Sequence, residues 1–130
     1  MGYNARRAAL VVIAEFLKQM APYGLRPVEF SVLTLIGRNP GVTSRQLCAA
    51  LGILAPNLVS IVSAFERRGL VLRQAHPHDR RALGLTLTAQ GHSLIQQAEQ
   101  TATQLEVKAT AKLSRAERKT LLQLLQKIYL

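Results

Sequence analysis

The hydrophobic period of the chain changes from about 3.6 residues to 2 at one glycine, Gly69, and few folds accommodate that change at this spacing. Before the glycine, Leu58, Ile61, Val62 and Phe65 recur every three or four residues and share one face of a helix. After it, Val71-Leu72-Arg73-Gln74-Ala75 reads as a strand, and Leu83-Gly84-Leu85-Thr86-Leu87 alternates leucines with smaller residues. The two strands make a hairpin. Its connection, His76 to Ala82, contains Pro77 and exceeds a two-residue turn, which predicts a projecting, mobile tip that carries Arg80 and Arg81.

A second short helix precedes this unit. In Thr43-Ser44-Arg45-Gln46 a threonine N-cap with a glutamine three residues on can close a capping box ahead of Leu47, Ala50 and Leu51, and Gly52 stops the helix. Ile53 and Leu54 carry the chain to Ala55-Pro56-Asn57, where Pro56 suits the first helical position because an N–H there would have no partner. The helix that follows turns Asn57, Val59, Ser60 and Ser63 outward and ends at Arg67-Arg68-Gly69. Two short helices joined by a tight turn and followed by a basic hairpin have the layout of a winged helix-turn-helix, a module that reads DNA. The recognition helix is then about 56–68 and the wing about 76–82.

Charge favours the same partner. The chain has 130 residues, 48% of them apolar, enough for one core or a core plus a dimer interface. Its 17 Lys and Arg against 7 Asp and Glu give a formal charge of +10, which favours nucleic acid first and acidic membrane second. From Arg38 to Arg81 the basic residues are Arg38, Arg45, Arg67, Arg68, Arg73, Arg80 and Arg81, and the only acids are Glu66 and Asp79. Arginine forks suit phosphate and guanine better than lysine does. No apolar run approaches the roughly 20 residues that cross a bilayer, so no membrane partner is expected. A single cysteine, Cys48, excludes an internal disulfide and any cysteine-only metal cage, and the expected compartment is a reducing cytoplasm.

The remaining segments read as scaffold. From Ala5 to Met20 the residues Ala9, Val12, Ile13, Phe16, Leu17 and Met20 form a helical stripe that ends at Pro22-Tyr23-Gly24. Pro27 opens a helix with Val28, Val32, Leu35 and Ile36 on one side, stopping between Gly37 and Pro40. Thr88 can cap a long helix from Ala89 to about Ala111, and Ser114-Arg115-Ala116-Glu117 is a capping box for a last, leucine-rich helix. The first helix and the last two have more apolar surface than a small winged domain covers, which predicts pairing with a second copy. The expected fold is mainly α with a small β-hairpin: an N-terminal dimerisation helix over 1–24, a winged helix-turn-helix over 25–88 and C-terminal dimerisation helices over 89–130.

In this order of elements the chain resembles the multiple-antibiotic-resistance regulator (MarR) family of transcription factors. The resemblance covers nearly the whole chain and is most specific in Leu51-Gly52-Ile53, Phe65-Glu66-Arg67-Arg68-Gly69-Leu70-Val71 and His76-Pro77-His78-Asp79-Arg80-Arg81-Ala82 running into Leu87-Thr88-Ala89-Gln90-Gly91. It implies a homodimer joined through the first and last helices, with the recognition helix of each protomer in the major groove of a half-site. It also implies that Arg81 enters the adjacent minor groove, that Asp79 holds the wing's shape, and that a small aromatic acid or phenol is a common effector.

Physical roles for the same residues agree. A narrow minor groove concentrates negative potential, so Arg81 and Arg80 on a thin hairpin gain by entering it. Asn57 can read an adenine edge, Ser60 and Ser63 can bond bases or phosphates, and Val59 can touch a thymine methyl. Arg45, Arg67 and Arg73 complete the expected DNA-contacting set. Arg67 and Arg68 also fit a solvated helix end, Arg45 a first helical turn, and Asn57 and Ser60 a solvent-facing helix start. No Arg or Lys lies between Ala55 and Glu66, which argues against strong guanine readout and for readout by shape, fit and water. His76, His78 and Asp79 lie close together, but one loop supplies too few fixed ligands for a metal, and none is expected. His92 fits either a ligand pocket or an exposed helix position.

Three functions stand apart at this point. The first is a homodimeric DNA-binding repressor that leaves a pseudo-palindromic operator, with half-sites roughly 10 bp apart, when a small molecule alters the spacing of its reading heads. The second is a winged-helix module that binds protein, or DNA only weakly. The third, an enzyme, has little behind it: no Gly-rich phosphate loop and no convincing Ser, His and Asp set is present, and no cofactor is expected.

Overall fold

Helix α1 spans Gly2–Met20, three residues beyond its apolar stripe at the N-terminal side, and passes into a 3-10 turn at Ala21–Tyr23. Gly24 then takes a left-handed φ of 61°, a conformation that glycine adopts without steric cost and that turns the chain into α2, Pro27–Arg38. The structure is a computed structural model and describes residues 1–75, 78 and 83–130. Strand β1 is Val42–Thr43, α3 is Ser44–Leu51 and α4 is Ala55–Arg67. Strands β2, Val71–Ala75, and β3, Leu83–Leu87, follow, then α5, Ala89–Ala109, and α6, Arg115–Tyr129.

The capping signals operate as read. Thr43 Oγ1 accepts from the Gln46 N–H at 3.2 Å while the Thr43 N–H donates to Gln46 Oε1 at 2.9 Å. Ser114 and Glu117 close the same box at the start of α6, at 2.7 and 3.2 Å. Thr88 accepts from the Gly91 N–H at 3.0 Å and donates its hydroxyl to the Gly69 carbonyl at 2.6 Å. One side chain thus starts α5 and binds the turn where the recognition helix ends.

Three expectations need correction. The sheet is not a bare hairpin but three antiparallel strands in the order β1-β3-β2, with Val42 opposite Leu85 and Thr43 opposite Gly84. Two residues are too few for any alternation, so β1 left no period to read. Its approach explains Gly84: a Cβ there would lie 2.7 Å from the Gly41 carbonyl oxygen. Second, α4 begins at Ala55 with Leu54 as its cap residue, which moves Pro56 from the first helical position to the second. Third, α2 buries Val32, Leu33 and Ile36, whereas Val28 is exposed, because the face turned to α5 and β3 is centred one residue along from the stripe drawn on sequence.

The core joins these elements. Leu58, Val62 and Phe65 of α4 meet Leu33 and Ile36 of α2, Leu47 of α3, Leu85 and Leu87 of β3, and Ile95 and Ala98 of α5 in one buried cluster. Phe16 of α1 packs edge-on against Phe30 of α2, with ring centres 5.6 Å apart. Gly91 sits where a side chain has no room, since an added Cβ would run into the backbone of Leu70. By contrast α6 buries none of its residues within the protomer, and Leu121, Leu122, Leu124 and Leu125 are exposed. Leu10, Val11, Val12, Ile13 and Leu17 of α1 are exposed as well. No single helix among the described residues is long and apolar enough to cross a membrane.

Candidate nucleic-acid interface

Helix α4 is anchored by Leu58, Val62 and Phe65, each at most 1% exposed, so the opposite face is fixed in direction. That face presents Pro56, Asn57, Val59 and Ser60 to solvent, with Ser63 half-buried beside them. It carries no charge from Ala55 to Phe65. Arg45 in the first turn of α3 and Arg67 in the last turn of α4 are both exposed and add positive charge to this helix pair. A neutral, small-residue face can enter a groove between two phosphate backbones without a desolvation penalty on its own charges.

Two other arginines of the stretch are engaged within the protein. Arg73 Nε donates to Glu66 Oε1 at 2.7 Å, and its Nη2 to Oε2 at 3.3 Å, a forked pair that joins β2 to the last turns of α4. Arg73 stands opposite Leu85, whose side chain is buried, so it lies on the sheet face turned toward α4. Arg68 donates to the carbonyls of Tyr23 at 2.7 Å and Gly24 at 3.2 Å. The sequence reading offered Arg68 only a solvated helix end or a phosphate. Its partners lie more than 40 residues away, and no local signal points to them. Asp79, Arg80 and Arg81, the expected wing residues, lie outside the described residues, as does His76.

A second feature lies between α2 and α5. Thr34, Gly37, Arg38, His92, Ile95, Gln96 and Glu99 line a crevice of about 310 Å³. Thr34 Oγ1 is buried there with no hydrogen-bond partner among the described residues. Arg38 reaches Glu99 at 3.4 Å, linking the two helices. His92 lines this crevice and is also exposed on α5, so both positions expected of it describe the same residue. Cys48 is half-buried against the core. Among the described residues no three His, Cys, Asp or Glu side chains gather to hold a metal ion.

Known proteins share both the sequence and the shape. The sequence profile of the MarR family matches residues 23–82, from the turn before α2 to the end of the hairpin connection. A Thauera aromatica protein named for regulation of the hcr operon is 30% identical over 99% of this chain and 78% of its own length. An HTH-type transcriptional repressor of Mycobacterium tuberculosis is 27% identical over 98% of this chain and 92% of its own. The transcriptional repressor CouR, solved on a 23-mer DNA duplex, superposes with a TM-score of 0.92 at 41% identity, covering 98% of this chain and 91% of that one. CouR has also been solved with p-coumaroyl-CoA, and the M. tuberculosis protein with p-aminosalicylic and salicylic acids. By sequence along its whole length and by the arrangement of its helices and sheet, the chain belongs to the MarR family.

Proposed function

We propose that this protein is a homodimeric, sequence-specific DNA-binding transcriptional repressor that a small aromatic ligand releases from its operator. The observation that carries the reading is the α4 face, uncharged and exposed on the helix pair that carries Arg45 and Arg67 while its other side is locked into the core. The DNA-bound CouR structure, at 41% identity over nearly the same length, supports it.

In this reading α4 lies in the major groove, where Asn57, Val59, Ser60 and Ser63 meet base edges and Arg45 and Arg67 meet phosphates. Arg80 and Arg81 enter the minor groove, with Asp79 shaping the wing. Arg73 serves by holding the hairpin to α4 through Glu66. The exposed leucines of α6 and the apolar side of α1 pair with a second protomer, so residues 1–24 and 89–130 are the dimerisation parts and 25–88 the reading part. The α2/α5 crevice takes the effector: Arg38 and His92 suit an anionic aromatic group, and the Thr34 hydroxyl gains a partner. The protein works in the cytoplasm, with no catalysis and no resident cofactor.

Selection from a pool of random duplexes, with Arg81→Ala in parallel, tests this. A two-fold motif is expected, with half-sites roughly 10 bp apart, and Arg81→Ala is expected to lose about 1–3 kcal/mol of binding without loss of the dimer. Enrichment of no motif, with only salt-sensitive background binding, would overturn the reading in favour of a winged-helix protein-interaction module.

A further inference from the structure

The start of α4 departs from the starts of its neighbours. Helices α3, α5 and α6 begin on Thr43, Thr88 and Ser114, each accepting a backbone hydrogen bond on its side-chain oxygen. Helix α4 begins on Leu54, which has no capping group, and whose carbonyl alone accepts from the Asn57 and Leu58 N–H groups at 3.1 and 3.2 Å. Leucine is among the least favoured residues at this position. Its side chain is not recruited to the core in exchange: it is 72% exposed. Val59, one turn on, is 54% exposed, and Pro56 lies exposed between them. The leading end of α4 thus exposes an uncapped leucine where α3, α5 and α6 carry a capping hydroxyl; α1 and α2, which start on Met1 and Arg26, have no hydroxyl cap either.

The residues at the leading end of such a helix are those that reach base edges. The exposed apolar group of the major groove is the C5 methyl of thymine, and an aliphatic side chain against it is a recognised contact. We infer that Leu54, with Val59 beside it, is a specificity-determining residue that packs on thymine methyl groups in each half-site. The inference rests on the DNA-binding reading above. The exposed Arg45 in the first turn of α3 and Arg67 in the last turn of α4 put positive charge on the same helix pair, which suits a duplex and disfavours an apolar protein surface as the occupant.

The test replaces single thymines of the selected operator by uracil, which removes the methyl and leaves the base pair intact. Full-length protein and the Leu54→Ser variant are titrated against each duplex. Serine supplies the missing cap, so this variant should unfold no earlier than the parent. Uracil at one or two positions per half-site should weaken the parent about fourfold, the loss for uncovering one buried methyl. Leu54→Ser should bind the all-thymine operator more weakly and lose its response to uracil at one of those positions. Specific binding that ignores every uracil, or a Leu54→Ser variant with the parent's affinity and uracil profile, would overturn the inference while leaving the regulator intact. Failure to select any operator would overturn both.

Discussion

The guanidinium of Arg68, at the end of α4, donates to the carbonyl of Tyr23 at 2.7 Å, and the Tyr23 hydroxyl meets Thr101 Oγ1 of α5 at 2.8 Å. A single turn between α1 and α2 is thereby bonded to the recognition helix on one side and to the long C-terminal helix on the other. The carbonyls of a 3-10 turn have few partners of their own, and a forked arginine supplies two donors at once. The turn is therefore a direct hydrogen-bonded link between α4 and α5.

Arg68→Ala should therefore destabilise the protein by about 1.5 kcal/mol, the lower end of the range for hydrogen bonds to a charged group because the site is exposed. Urea denaturation checks it. Arg67→Ala, one residue earlier with its side chain in solvent, should change stability by less than about 0.5 kcal/mol. Equal effects of the two would show that the Tyr23 contact contributes nothing to stability.

Gly91→Ala should cost about 1–3 kcal/mol or more, since the new methyl group would meet the Leu70 carbonyl, a backbone atom that cannot swing aside. The same carbonyl accepts the Thr88 N–H at 3.0 Å, so displacing it also disturbs the start of α5. Gly2→Ala, where nothing lies within 4 Å, is the control and should be neutral. A Gly91→Ala thermal midpoint equal to that of the parent would refute the close packing of α5 on the hairpin.

Arg73 and Arg81 should separate in their salt response. The log–log slope of operator affinity against salt falls by about 0.9 for each phosphate contact removed. Arg73→Gln should leave that slope unchanged, because its guanidinium is held by Glu66, and should weaken binding only by loosening the hairpin. Arg81→Ala should flatten the slope, because it removes a charge that displaces counterions from the minor groove. A flattened slope for Arg73→Gln would make that residue a phosphate contact instead of a strut.

Acid should weaken the packing of α1 on α5. The hydrogen bond from Gln19, at 2.9 Å, is the main cause that holds the Glu15 carboxyl below the ordinary glutamate range, with Lys108 at 3.2 Å adding to it. A carboxyl with a lowered folded-state value contributes stability above its unfolded value, and that contribution disappears as pH falls through the folded one. The thermal midpoint should thus drop as pH falls through the glutamate range, and the drop should be smaller in Glu15→Gln. Parallel profiles for the two proteins would exclude Glu15 as a contributor.

What could be read from the chain alone divides by sequence distance. Thr43, Thr88 and Ser114 announce their helices because a cap and its partner lie three residues apart. The inward face of α4 was legible for a similar reason, as four apolar residues repeat at helical spacing. Strand β1 was not, since Val42 and Thr43 become a strand only where β3 lies beside them. Arg68 and Arg73 read alike as basic residues near a helix end and in a strand, yet one holds a turn 45 residues away and the other a glutamate seven residues away. Leu54 looked like part of a connecting turn. Only its exposure, at a position where α3, α5 and α6 carry a capping hydroxyl, gives it meaning.

Helix α6 carries a second consequence. Under the proposed dimer, a helix with no buried residue in its own protomer gains most of its tertiary stabilisation when another chain arrives, and the last step of folding is then a meeting of two molecules. Under the dimer reading, the number of competent reading units falls with the square of protomer concentration when the protein is scarce. On that reading a cell that makes little of it has isolated protomers with bare leucines, and control rises more steeply than in proportion as more is made. Expression level then acts on the operator independently of any ligand.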